Sequence, residues 1–269
     1  MIKLSIITIN LNNSEGLRRT IESVICQTYT NFEYLVIDGG STDGSVEVIH
    51  EYKDKITYWI SEPDRGIYHA MNKGILQAKG DYCQFLNSGD YLLAPNVTEQ
   101  MLYGVPDSSI IYGNKVREIA GRRVVEKSYE GRQITLLDLY TSTIFHASAY
   151  IKRILFDKYG LYDEGLKIVS DWKLYLIAVG LNNEKTVYRD IDLVYFDANG
   201  ISANKELDKS EREKVLHQVL PHSILLDYQE FAVEGRIVRR LRKNKVIWFF
   251  ILNIYRIIFR IDKLKAIMK

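Results

Sequence analysis

Apolar and polar positions follow two alternating rhythms over the first ninety residues. Leu4–Asn10 (LSIITIN) is a short, β-branched apolar run of the kind that forms a buried strand. After Asn12-Asn13-Ser14, residues Leu17, Ile21, Val24 and Ile25 recur at helical spacing. Phe32–Ile37 predicts a second strand, stopped by Asp38-Gly39-Gly40, and a helix over 45–52 follows. A third strand is expected over 56–60, a helix over 68–78 closed by Lys79-Gly80, and a fourth strand over 82–86. Strand, helix and strand repeated in this way imply right-handed crossovers and an α/β fold with a mainly parallel sheet. The second half is less regular. Residues 110–118 and 122–127, joined through Ala120-Gly121, predict a β-hairpin. Helices are expected over 149–159 and 171–179, a strand over 185–196, and a long helix over 206–228.

In parallel sheets, ligands collect beyond the carboxyl ends of the strands. Four polar segments stand there: Asn10–Asn13, Asp38–Ser41, Glu62-Pro63-Asp64 and Asn87-Ser88-Gly89-Asp90. Turn chemistry accounts for any one of them. Carboxylates at three of the four ends point to a shared site.

Composition changes this picture little. With 269 residues, 46% apolar and 26% charged, the chain is ordinary globular protein, not a disordered, collagen-like or disulfide-built one. Cys26 and Cys83 form no CxxC pair and read as small buried hydrophobes. The first apolar run is too short for a signal peptide, so a cytosolic protein is expected. Charge is more informative. Residues 236–269 carry eleven Lys and Arg against one Asp, a net of +10, which leaves −8 on the rest of the chain. No GxGxxG follows a strand, no GxxxxGK[ST] occurs, and no Gly-x-Ser-x-Gly elbow is present. His217 and His222 lie on a polar helical segment and read as solvated. What remains is a carboxylate-rich site without a nucleophile.

The segments SIITINLNN, VIDGGSTDGS, SEPDRGIYHAMNKGI and GDYCQFLNSGD, in this order and spacing, resemble the nucleotide-sugar half of glycosyltransferase family 2, of the GT-A fold. FHASAYIKR, the Tyr162–Trp172 segment and the FDANGIS loop at Phe196–Ser202 agree with its second half. The likeness covers about residues 2–205 and is greatest to bacterial transferases that build polysaccharides. It implies a GT-A domain over 1–205, with a nucleotide-sugar half to about 100 and an acceptor half over 101–205, and a helical extension over 206–269.

Carried over residue by residue, the resemblance implies these roles. Asp38 would hydrogen-bond the donor's base, and Asp64 would be a second nucleoside-binding acid. Arg65 and Lys73 would lie beside the diphosphate, where cations stabilise anionic oxygens. Asn87, Ser88 and Asp90 occupy the place of the family's DXD-type motif, with Asp90 holding Mg²⁺ or Mn²⁺. Asp171 matches the general base for the acceptor hydroxyl. The segment NSGD offers one carboxylate where relatives have two or three, so Asp90 would hold the metal almost alone, completed by diphosphate and water. Ser170 replaces the Glu that usually precedes the base, yet one carboxylate within reach suffices for the chemistry. Plainer readings stand beside these. Asp38 also reads as a strand-ending cap, Asp90 as a turn residue, and Asp171 as an acid favoured at a helix N-terminus. His146, between Phe145 and Ala147, reads equally as a phosphate or acceptor contact and as a core histidine.

One base and no nucleophile imply single displacement with inversion, from a nucleotide-diphosphate sugar (uridine diphosphate first) to a glycan or lipid-linked acceptor. The alternatives are a nucleotidyltransferase making nucleotide sugars, which would want a glycine-rich basic loop where LNNSEG stands, and a catalytically silent sugar-nucleotide or membrane-binding scaffold. In the tail, Val246–Phe259 is too short to span a bilayer, for which about 20 apolar residues are needed. Arg242, Lys245, Asn253, Arg256 and Arg260 share one helical arc, opposite Ile247, Trp248, Ile251, Ile254 and Ile258. Such a helix suits an anionic membrane surface, which puts the enzyme peripherally on the inner face of the cell membrane. A core or homo-oligomer helix is the other reading of this tail. The acidic body argues against nucleic acid as its partner.

Overall fold

A computed structural model describes residues 2–197 and 204–267. The chain divides into two compact units, one through Val219 and one from Leu220.

The first unit is built on a nine-stranded sheet. Its elements are β1 (Leu4–Asn10), α1 (Ser14–Ile25), β2 (Phe32–Asp38), α2 (Ser45–Glu51), β3 (Tyr58–Ser61), α3 (Ile67–Gln77) and β4 (Tyr82–Asn87), then β5 (Tyr91–Leu92), α4 (Val97–Leu102) and the hairpin β6 (Ile110–Ile119) and β7 (Arg122–Glu126). These are followed by α5 (Leu136–Thr141), β8 (Ala149–Lys152), α6 (Ile154–Tyr159), α7 (Ser170–Tyr175), β9 (Thr186–Tyr195) and α8 (Lys205–Val219). The strand order is β3-β2-β1-β4-β8-β6-β9-β5, with β7 on β6. β1 pairs in parallel with β2 on one side and β4 on the other, so Asn10 stands opposite Asp38 and Ile9 opposite Asn87. Succession reverses at β1, and the crevice beyond its end is where a parallel sheet takes its ligands. Among the described strands, β8, β5 and β7 run against the direction of the others: β8 lies inside the sheet between β4 and β6, β5 closes the order beyond β9, and β7 pairs with β6.

Every residue of β1 is buried, which explains its mostly apolar run: helices cover both faces of a parallel sheet. α3 packs on β1 at Gly74, where an added Cβ would stand 2.5 Å from Ile7 Cγ2. That close approach requires glycine in the middle of a helix.

Several expectations are corrected. Residues 149–159 are not one helix. Ala149–Lys152 is a buried strand between β4 and β6, and the helix begins only at Ile154. A short apolar run inside a sheet has no polar face to reveal its period. The helix expected over 206–228 breaks at Pro221, which has no N–H to donate, so α8 ends at Val219 and α9 (His222–Arg242) begins anew. Contacts group α8 with the first compact unit, which runs through Val219. Cys26 is exposed, while Cys83 is buried as expected. The helix over 171–179 is α7 continued by a π-helical turn at Leu176–Leu181. Of the FDANGIS loop, residues 198–202 lie outside the described residues.

In the second unit α9 is followed by α10 (Lys245–Ile267). On α10, Val246, Ile247, Phe250, Ile254, Ile257 and Ile258 are exposed. Among the described residues, no helix is long and apolar enough to cross a membrane.

Candidate active site

A cleft of about 660 Å³ opens in the first unit beyond the ends of β1 and β4. Its lining includes Asn13, Asn87, Ser88 and Asp90, together with His146, Asp171 and Trp172.

The turn carrying Asp90 is bolted to α1. Thr20 Oγ1 donates to the Asp90 carbonyl at 2.7 Å and accepts from Gly89 N–H at 3.0 Å. Asn13 Nδ2 donates to the Ser88 carbonyl at 2.9 Å. Gly89 has φ +107°, and a Cβ there would meet Asp197 Oδ2 at 2.9 Å. Glycine thus serves both the turn and the approach of a second carboxylate. Asp197, two residues past β9, donates its backbone N–H to Asp90 Oδ1 at 2.9 Å. The pairing of Tyr195 with Tyr91 in β5 brings these two acids together across 107 residues. Burial pushes the Asp90 carboxyl up to about 7; the Asp197 N–H pulls it back and the Asp197 charge raises it further. Asn87 Oδ1 is buried in the same wall with no hydrogen-bond partner. Two carboxylates and an unsatisfied amide oxygen are hard oxygen donors of the kind Mg²⁺ and Mn²⁺ take, with room left for a substrate's phosphates. Among the described residues no cluster of three or more acid, His or Cys side chains could hold a metal alone.

Asp171, which also lines the cleft, lies in the first turn of α7. Tyr68 OH contacts its Oδ1 at 2.9 Å. His146 Nε2 is hydrogen-bonded to Tyr162 OH at 2.8 Å, and its ring stacks on Phe85 at 4.9 Å. Burial holds the imidazole below its ordinary range despite the nearby Asp171 charge, so it is neutral at pH 7.

The remaining expected residues do not line this cleft. Asp38 is fully buried, and its two oxygens accept from Asn10, Ser41 (backbone and side chain), Gly40 and Ser61 at 2.6–3.2 Å. Burial opposes its charge, but these bonds outweigh burial and hold the carboxyl below its usual range. A direct bond to a base requires exchanging one of them. Asp64 Oδ1 contacts His69 Nδ1 at 2.9 Å and Lys73 Nζ at 2.6 Å; its Oδ2 is buried without a partner. That oxygen lies 3.3 Å from where a Gly39 Cβ would be, at the end of β2. Arg65 is paired with Glu164 at 2.7 Å and is 72% exposed; Lys73 also pairs with Glu62. The cations that do line the cleft are Lys115, Arg117, Lys167, Lys205 and Arg212. Lys115 sits 4.1 Å over the Phe145 ring and pairs with Glu126 at 3.2 Å. Burial lowers its pKa against the pull of Glu126.

Sequence reasoning thus missed Asp197, Lys115 and Tyr68. The signal for Asp197 was present, an acid directly after a strand in a segment already singled out. Lys115 gave none, because its side of β6 depends on two register shifts around Asn114.

The sequence profile of "Glycosyl transferase family 2" matches residues 5–163. An uncharacterized glycosyltransferase of Mycobacterium tuberculosis is 33% identical over 215 residues, 76% of this chain and 78% of that one. Poly(ribitol-phosphate) beta-N-acetylglucosaminyltransferase TarP of Staphylococcus aureus is 29% identical over 76% of this chain and 67% of its own. Among solved structures, S. aureus TarS matches with TM-score 0.60 and 18% identity over 80% of this chain, which spans 42% of TarS; its 1–349 portion bound to UDP-GlcNAc matches at 0.61, with 19% identity over 82% and 69% of the two chains. Mannosyltransferase PcManGT from Pyrobaculum calidifontis, in complex with GDP-Man and Mn²⁺, matches at 0.62 with 14% identity over 80% and 63%. These structures share the GT-A fold with the first unit.

Proposed function

The chain belongs to glycosyltransferase family 2, and from that premise we propose that it is a metal-dependent, inverting transferase of cell-surface polysaccharide synthesis, moving a sugar from a UDP-sugar to a glycan or lipid-linked acceptor. The observation that carries this reading is one cleft lined by both the Asp90–Asp197 acid pair and Asp171. The similar TarS and PcManGT structures hold UDP-GlcNAc, and GDP-Man with Mn²⁺, and TarP is a β-N-acetylglucosaminyltransferase by name.

On this reading the donor's base lies against the turn that Asp38 organises, within reach of the unpartnered Asp64 oxygen. Asp90, Asp197 and Asn87 are the residues that would hold Mg²⁺ or Mn²⁺. When bound, the ion supplies charge to the departing diphosphate, which lowers the barrier to its release. Lys115, desolvated in the wall, adds a cation on the same side. Asp171 takes the proton of the incoming hydroxyl as that oxygen attacks the anomeric carbon. With one base and no nucleophile, configuration inverts. The exposed apolar face of α10 and the basic tail hold the enzyme to the anionic, cytoplasmic face of the membrane, where a lipid-linked acceptor resides.

A thermal-shift panel of nucleotide sugars with and without Mn²⁺, followed by nucleotide release and product stereochemistry, tests this. Ligand at a hundredfold excess over Kd stabilises by about 2.7 kcal/mol. Expected are a Mn²⁺-dependent shift with a UDP-sugar and a β-linked product from an α-linked donor. No shift with any nucleotide sugar, or retained configuration, would overturn the proposal.

A further inference from the structure

Tyr68 comes from the first turn of α3, in the half of the domain assigned to the donor, yet its hydroxyl lies 103 residues away in sequence against Asp171. The side chain is 4% exposed. Three partners converge on its oxygen. Ser170 N–H donates to it at 3.0 Å, the Ile168 carbonyl lies at 2.5 Å, and Asp171 Oδ1 at 2.9 Å. A phenol has one proton and can serve only one of the last two acceptors at a time. Burial first, and the Asp171 charge second, raise its pKa well above the ordinary value, so it stays protonated and cannot itself act as the base.

We propose that Tyr68 is a positioning residue for the reaction: its hydroxyl proton turns between the Asp171 carboxylate and the Ile168 carbonyl and holds Asp171 in one place before and after proton uptake. This rests on the reading of Asp171 as base. While Asp171 is ionised, Tyr68 donates to Oδ1 and leaves Oδ2 for the acceptor hydroxyl. As the acceptor oxygen bonds to the anomeric carbon, its proton passes to Asp171. The neutral acid needs no donor, and the Tyr68 proton swings to the carbonyl of Ile168. Ser170 N–H anchors the phenol oxygen throughout, which ties the N-terminus of α7 to α3 and couples the base to the donor half. The ring itself packs against Tyr162 at 5.4 Å, so a test must keep it.

Wild type, Tyr68→Phe, Asp171→Asn and the double variant are each given the nucleotide-sugar panel with Mn²⁺, and release of nucleoside diphosphate is followed with water as the acceptor, alongside melting temperature and UDP–Mn²⁺ affinity. Tyr68→Phe should lower kcat about 10- to 100-fold, as loss of alignment does, with donor KM and UDP–Mn²⁺ affinity within about twofold of wild type. In the Asp171→Asn background the same change should cost nothing further. Replacing Tyr68 by p-aminophenylalanine, which restores a donor, should recover most of the rate even if the Phe variant folds poorly. Wild-type turnover in Tyr68→Phe, an equal loss in both backgrounds, or no recovery with the amino analogue would overturn the proposal. An Asp171→Asn variant as fast as wild type would instead overturn the reading of Asp171, and this inference with it.

Discussion

Asp90 is a carboxylic acid that the folded chain discourages from ionising, and this makes a stability prediction independent of any substrate. In the metal-free protein its pKa is about 7, raised chiefly by burial; in the unfolded chain an Asp titrates near 3.9. Because the folded value is the higher one, the folded state binds more protons between pH 4 and pH 7, and stability falls as pH rises through that window. Above pH 7 the full difference, about 4 kcal/mol, weighs on the fold. Asp90→Asn keeps the shape and can still accept from Asp197 N–H, but never ionises. Urea unfolding of both proteins in chelator, from pH 5 to pH 8, should show the variant gaining about 2–3 kcal/mol on wild type across that range. With Mn²⁺ and UDP added, the order should reverse above pH 7, because the ion needs the ionised carboxylate and displaces its proton. A difference between the two proteins that stays constant with pH would refute the burial argument for Asp90.

Asp197→Ala, by removing the second carboxylate, should weaken Mn²⁺ binding in the presence of UDP about 10-fold or more, read by electron paramagnetic resonance of free Mn²⁺; unchanged affinity would leave Asp90 to hold the ion without it. Ile254→Asp combined with Ile257→Asp on the exposed face of α10 should abolish co-sedimentation with phosphatidylglycerol vesicles without lowering the melting temperature, and wild-type binding should weaken with added salt. Wild-type protein that ignores such vesicles would refute the membrane assignment. Gly74→Ala should destabilise by about 1–2 kcal/mol net, since an overpacking cost of about 2–3 kcal/mol against Ile7 Cγ2, 2.5 Å away, exceeds the roughly 1 kcal/mol gained in helix propensity. A variant as stable as wild type in urea would show that Ile7 yields at no cost.

Local period was enough to read the first four strands and three helices, because buried parallel strands are continuous apolar runs and the covering helices carry a 3.6-residue rhythm. The polar segments at the strand ends were legible for the same reason, and with them Asp38, Asp64 and Asp90 as a set. The roles within that set were not. Asp38 and Asp90 look alike in sequence, but five hydrogen bonds hold Asp38 ionised, while a dry wall and a second acid raise Asp90. The strand at 149–152 was hidden because successive residues Ala149, Tyr150 and Ile151 are all buried, so neither face shows a polar alternation. The partners of Asp197 and Tyr68 were hidden for a stronger reason. Each meets its partner across more than a hundred residues, through the β5–β9 pairing in one case and the docking of α7 on α3 in the other. The sequence determines which elements form and which chemistry stands at their ends. Which carboxylates come together, and which hydroxyl meets Asp171, is decided only when non-local register brings those ends together.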